Sequence, residues 1–398
     1  MFFFFVVMGY CLKYQTIVEI DIHIYKQRNN IMFKSLICLV LLGSFSAVSA
    51  QSLEEAQTKS ISGYSKLVYK TYSDSLKTAI TLKEDIANFV KNPSVMTMEV
   101  AKNSWKLARA PYGQSEVFRF YNGPIDRDGG PEGLLNAWPL DEAYIDYVVG
   151  APNAGIINNL SEYPVINKEL LESLNELDGE KNISTGYHAI EFLLWGQDLY
   201  VDGPGRRSYE DYVKGKGLNA ERRAAYLLIA ADLLVDHLQG LVDEWAPNKA
   251  NFRAEFESQK QTSTLKDILS GIIYMTGDEL SGERMYVAYE TMGQEDEHSC
   301  FSDMTHMDIQ WNFWGVENVL RETKMLELTP LKNTELAKRV KARMAKVHKM
   351  LAELPAPFDQ AILSETSRPL ILAAIEEMEV LAKDLVEVSE ALNAKVDF

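Results

Sequence analysis

The chain has 398 residues, 46% of them hydrophobic and 24% charged, which is enough apolar material for one large or two ordinary cores and rules out an intrinsically disordered protein. Its formal net charge of −17 argues against a nucleic-acid binder, because phosphate recognition needs clustered Lys and Arg to displace counterions and no basic stripe stands out.

The first element is a leader. From Met32 a lysine (Lys34), a short apolar run and the small residues Ala47-Val-Ser-Ala50 follow one another, the three parts of a secretory signal. The run is shorter than the roughly 20 residues of a spanning helix. The natural start is therefore expected at Met32, with residues 1–31 an upstream extension and cleavage after Ala50. Removing residues 1–50 takes away four cations (Lys13, Lys26, Arg28, Lys34) and two anions (Glu19, Asp21) and makes the balance more negative. It also leaves Cys300 as the lone cysteine, so the exported chain has no internal disulfide and depends on ordinary burial.

Downstream, the apolar spacing is helical almost throughout. Tyr64, Val68, Tyr72, Leu76, Ile80, Ile86 and Phe89 recur at about one helical turn until Asn92-Pro93 stops the run. A second helix is predicted from Val95 to about Phe120. The Gly-, Pro- and Asp-rich stretch 121–139 then reads as a long loop. "GYHAIEFLLWG", 186–196, is a short helix apolar on nearly every side, with Ser184 or Thr185 as its cap. Further helices are expected over Ala220–Trp245, Thr264–Met275, Glu283–Met292, Cys300–Leu326, Thr334–Leu354 and Ser367–Leu392. The predicted class is all-α. Two helical bundles are expected, 51–215 and 216–398, joined near Lys214-Gly-Lys-Gly217.

Two constellations carry chemistry. In a helix, His188 and Glu191 share a face, and a buried carboxylate among Ile190, Phe192, Leu193 and Trp195 needs a metal, an arginine or a proton. Taken alone, the pair also fits a structural ion pair or core hydrogen bond. The second constellation is "GQEDEHSCFSDMTHMD", 293–308, where Glu295 with His298 and Asp303 with His306 repeat the three-residue spacing of carboxylate and imidazole. Such pairs on facing bundle helices build metal sites. Imidazole with carboxylate suits iron, zinc or manganese. A solvated acidic helix start accounts for the acids but not for two histidines. Cys300 reads as a small buried residue. "DRDGGPE", 126–132, lacks the ligand spacing of a calcium-binding helix–loop–helix.

These stretches resemble a known family. Gly186-x-His188-x-x-Glu191 is similar to the Gly-x-His-x-x-Glu signature of the imelysins, also called insulin-cleaving membrane proteases. The blocks 108–126, 134–148, 186–199, 281–290 and 294–306 resemble its iron-regulated protein A branch. The resemblance implies two helical bundles with a site between them, export to the periplasm or outer membrane, and a role in iron acquisition with a possible iron-transport partner there. It implies His188, Glu191, His298 and Glu295 as metal ligands. Asp303, His306, Glu283, Arg284, Arg109, Glu116 and Arg119 would stand around them, the arginines neutralising carboxylates or holding an anionic chelator. The expected ligand is iron or an iron complex, with zinc as the alternative. A zinc peptidase using His188, Glu191 and a ligand near His298 is the competing expectation. It lacks the His-Glu-x-x-His arrangement that places two ligands and a base on one helix. The leader carries no lipobox, and Ser208 stands in "GPGRRSYEDY" where relatives commonly have proline.

Overall fold

Helical periodicity accounts for most of the architecture. The computed structural model describes residues 53–398 apart from 329 and 330; within them the chain is all-α, with one isolated bridge between Val148 and Ala151 and no strand. The expected leader and its cleavage point lie outside the described residues.

The first helix, α1 (Leu53–Lys91), buries Tyr64, Val68, Tyr72, Ala79, Leu82, Ile86 and Phe89 along one stripe. Full burial of each large side chain contributes about 1.5–3 kcal/mol. Ile80, expected in that stripe, is instead 39% exposed, because Ala79 and Leu82 occupy the inward positions on either side of it. Ser94 caps the second helix, α2 (Val95–Gly113), in a capping box with Thr97. α2 ends at Gly113, seven residues short of the expected Phe120; the stretch 121–139 is irregular as expected except for the helical turn Glu132–Asn136, and it is pinned by the turn at Phe120 and Gly123, whose N–H groups donate to Asp126.

The helix α3 (Gly186–Trp195) is buried at all ten positions, as an all-round apolar helix must be. Its first residue has φ +82°, and a Cβ there would stand 2.5 Å from the Leu135 carbonyl oxygen, so only glycine lets the helix start this close to the loop. Helix α4 (Ala220–Trp245) lies beyond the expected junction and packs along α1 and against α3. Lys214 and Lys216, at the junction, are exposed and pair with Glu221 and Glu210.

The largest departure from expectation follows. Helix α5 (Gln261–Tyr274) does not end but runs into a π-helix over Met275–Tyr286 and then the helical turn Val287–Thr291. Two separate helices were expected there. Helix α6 starts at Thr305, five residues later than expected, since 297–303 are turns and Asp303 has φ +58°, and it ends at Thr323, three residues earlier than expected. α6 packs against α1, α2 and the π-helix. Helices α7 (Glu335–Ala352) and α8 (Arg368–Ala391) match their expected ranges within a few residues. α7 carries a basic run that composition had hidden; it faces acids of α8, with Arg339 2.8 Å from Asp384 and Arg343 2.7 Å from Glu377.

Candidate metal and ligand site at His188 and His298

α3 is short, so its capping loop and its neighbours fix its rotation. Trp105 of α2 donates its Nε1–H to the Tyr187 carbonyl at 2.9 Å, and Trp195 packs edge-on against Trp105. This turns His188 and Glu191 towards the 297–303 turns. There the two imidazoles meet: His188 Nε2 lies 3.3 Å from His298 Nε2, with ring centroids 4.6 Å apart.

Each ring is held at its other nitrogen by a buried carboxylate. His188 Nδ1 is 2.9 Å from Glu191 Oε2, and His298 Nδ1 is 3.2 Å from Asp308 Oδ2. At His298 a Nδ1–H donating to the ionised Asp308 leaves Nε2 as a lone pair. The Asn136 amide, 3.3 Å from His298 Nε2, is placed to donate to that lone pair. Burial, then the neighbouring His298, lowers the His188 pKa well below its usual value; burial and Arg284 bring His298 down to about 4. Both rings are neutral near pH 7, the form that binds metals.

The carboxylates differ. Burial would raise the Asp308 pKa, but the Arg109 and His298 charges and hydrogen bonds together outweigh it and hold Asp308 far below the carboxylate range. Arg109, itself fully buried, donates to Asp308 from Nη2 at 2.7 Å and from Nε at 3.2 Å. Glu191 has no such cation in contact. Its Oε1 accepts from the Ser302 N–H at 2.9 Å and O–H at 2.7 Å, and burial pushes its pKa up to about 8. Both oxygens of Glu191 are thus engaged, one behind His188 and one at Ser302, on the side of the ring away from Nε2.

His298 lines a cleft of about 360 Å³ whose walls include Arg119, Glu132, Trp138, Glu279 and Arg284, and His188 lies behind it. The π-helix positions two of these. Glu279 and Arg284 stand five residues apart, and Arg284 Nη2 reaches Glu279 Oε1 at 2.8 Å; five-residue neighbours share a face in π-geometry but not in an α-helix. Arg284 also donates to Glu116, as does Arg119 at 3.1 Å. Burial alone would raise Glu116, but Arg284 and Arg119 hold it down at about 2. Three groups at the cleft keep buried polar atoms without a partner: Trp138 Nε1, Arg119 Nε and Glu116 Oε1.

The expected residues divide into two sets. His188, Glu191, His298, Arg109, Glu116, Arg119 and Arg284 come together, and Glu283 stands exposed at the cleft wall. Glu295 is exposed on the short turn Gln294–Asp296; its three-residue spacing to His298 has no helical meaning because the chain there is not a helix. Asp303 and His306 line a different cavity, with Asp202 and Pro357. Asp308, Asn136, Trp138, Ser302 and Glu279 belong to the site and were not singled out. Asp308 had no signal distinguishing it from its acidic neighbours, and its partner Arg109 is 199 residues away. Among the described residues, no three His, Cys, Asp or Glu side chains converge as a ready-made metal cage.

The family model described as Imelysin, the M75 peptidase family, matches residues 68–385. Iron-regulated protein A of Synechococcus elongatus is 23% identical over 357 residues, covering 85% of this chain and 86% of its own. The fold is similar to that of a Parabacteroides distasonis protein described as an iron-regulated protein A precursor, with a TM-score of 0.66 at 16% identity, over 87% of this chain and 97% of that one. It is also similar to an imelysin-like protein from Psychrobacter arcticum, with a TM-score of 0.61 at 14% identity, over 87% and 98%. With a family match spanning most of its length, from α1 to α8, the chain belongs to the imelysin family.

Proposed function

We propose that this protein binds iron at His188 and His298 and serves, as an exported protein, in iron acquisition. The observation that carries the reading is the pair of facing Nε2 atoms, 3.3 Å apart, each on a ring whose Nδ1 meets a buried carboxylate. With Glu191 protonated near pH 7, His188 carries its proton on Nε2 and the contact is an N–H···N hydrogen bond to His298; a metal that displaces this proton finds two lone pairs facing it. The spacing suits two nitrogens sharing one metal with bonds of about 2.0–2.1 Å. Glu191 and Asp308 act as orienting partners that fix the tautomer and raise the basicity of the ligating nitrogen.

Two imidazoles leave most coordination positions open. The remaining donors arrive with the iron, as water or a small chelator, and the cleft's free Trp138 Nε1 and Arg119 Nε supply hydrogen bonds to an anionic one. The similarity to an iron-regulated relative supports iron over zinc. A peptidase reading would need a carboxylate free to act as base beside the metal, and both oxygens of Glu191 are engaged.

Titration of the metal-free chain with Fe²⁺, Fe³⁺, ferric citrate and Zn²⁺, alongside His188→Ala and His298→Ala, tests this. Iron binding lost in both variants is the expected result, with a peptide-cleavage assay on the same samples silent. Equal iron retention in wild type and variants overturns the reading, and iron- or zinc-dependent cleavage lost with His188 replaces it by a peptidase.

A further inference from the structure

Helix α2 is apolar on both of its sides. Its inner side buries Met98, Ala101, Trp105, Ala108 and Tyr112, and a surface helix with such an inner face should turn charged and polar groups outward. Of the six exposed positions of α2, however, four are apolar, Val95, Met96, Val100 and Leu107, and one, Glu99, is charged. Met96 is 78% exposed and Leu107 66%. Helix α7 keeps the ordinary pattern, with Lys338, Lys341 and Lys349 exposed.

The spacing turns these positions into a seam. Met96, Val100, Asn103, Leu107 and Ala110 recur at alternating steps of four and three, the interval that keeps one line of side chains facing a second helix. Single apolar residues scattered over a surface need no explanation, but a continuous line of them marks an interaction site. A lone Asn within such a line is the residue type that fixes register.

The edge charges select what covers the seam. Glu99 and Lys106 directly precede Val100 and Leu107, so they stand a heptad apart along one edge. Glu99 has a side chain 57% exposed and is held only by Lys102, at 3.2 Å; Lys106 is half-buried. When α2 is laid antiparallel on a second copy, with Met96 against the other Leu107 and Val100 against the other Asn103, Glu99 meets the other Lys106, once on each side of the axis. A parallel pair would set the same two charges against Ser104 and Pro111. The edge is thus complementary to itself, and a copy of this chain supplies both opposite charges.

We propose that this protein forms a reversible homodimer through α2, the seams of two copies lying antiparallel across a two-fold axis. One helix face of this length buries less than the about 1,200 Å² of a stable interface, so a Kd on the order of micromolar is expected. The inner side of the same helix carries Trp105, which donates to the Tyr187 carbonyl, and Arg109, which donates to Asp308. The dimer contact therefore lies on the back of the helix that orients His188 and anchors the carboxylate behind His298.

Sedimentation velocity of the full chain, from sub-micromolar to near-millimolar concentration, tests this. A monomer at the dilute end and a dimer at the concentrated end are expected. Leu107→Glu should raise Kd about thirtyfold or more, the effect of losing a hot-spot side chain, with an unchanged Tm in dilute solution. Glu99→Lys should weaken the dimer about fivefold, and Lys106→Glu added to it should restore the wild-type Kd. A chain that stays monomeric at near-millimolar concentration overturns the proposal, as does a dimer indifferent to Leu107→Glu. A double variant no tighter than Glu99→Lys overturns the antiparallel pairing and the proposal with it. A monomer that binds phosphatidylcholine–phosphatidylglycerol vesicles, and loses them in Leu107→Glu, gives the seam to a lipid surface and likewise overturns the dimer. If Leu107→Glu fails to fold, Met96→Glu is read in its place by the same criteria.

Discussion

Residues 297 and 298 are neighbours in the chain and opposites in their surroundings. His298 enters a region where nearly every charge has its complement: Asp308 against Arg109, and Glu116 against Arg284 and Arg119. Glu297 enters one where acids face acids and two buried oxygens are left over. The difference teaches that total charge says little about a site. The first region is near neutrality despite a strongly negative chain, and it holds its geometry without help. The second leaves two buried carboxylate oxygens without a donor.

The strongest way to break this comparison is to spoil the balanced side. Arg109→Ala leaves Asp308 buried without its cation, and removal of one partner of a buried pair costs about 3–5 kcal/mol; a urea denaturation curve with an unchanged midpoint would show that the balance is not what holds the imidazoles. Next in size, Glu191→Gln removes the carboxylate behind His188 without emptying its space. Iron affinity should fall about 10–100-fold, the usual effect of an outer partner, and a fall as complete as that of His188→Ala in a metal titration would make Glu191 a ligand in its own right. On the unbalanced side the sign reverses. Glu297→Gln should stabilise the protein by about 1 kcal/mol, read as a rise in Tm; destabilisation there would mean the two regions are alike. The smallest effect is a pH profile. Burial and the neighbouring Asp198 and Asp359 push Asp303 up to about 7, against 3.8 for an ordinary aspartate. The folded state therefore holds this proton more tightly than the unfolded one, so the stability cost is full above pH 7 and fades as pH falls towards 4. Asp303→Asn should be more stable than wild type at pH 8 and equal to it near pH 4 in paired thermal scans.

Much of the fold was legible because burial imposes a period. α4, α7 and α8 were read almost to the residue, α1 at its C-terminal end, and α3 was identified as buried from its apolar surround alone. His188 and Glu191 followed from it, since one helical turn fixes their relation. His298 was found by composition, but its supposed partners were not. Spacing rules assume a helix, and 297–303 is a series of turns whose side-chain directions are set by tertiary contacts. Glu295 was therefore placed at the imidazoles and stands in solvent, while Asp308, the true partner, lay one helical turn into α6. The junction of α5 with the next helix was missed for a related reason: a π-helix has no apolar period of its own to announce it.

That π-helix makes the cleft depend on phase. Arg284 reaches Glu116 and Glu279 because the turns between 275 and 286 are wider than α-helical ones. Along a regular α-helix, positions 279 and 284 would diverge by about 140°. Deleting a single residue from this segment, even one that touches nothing, would let the helix tighten and carry the arginine out of the cleft with every site residue still present in the sequence. Among relatives of this chain, an alignment gap between 275 and 283 is thus as telling as a substitution at Arg284 itself.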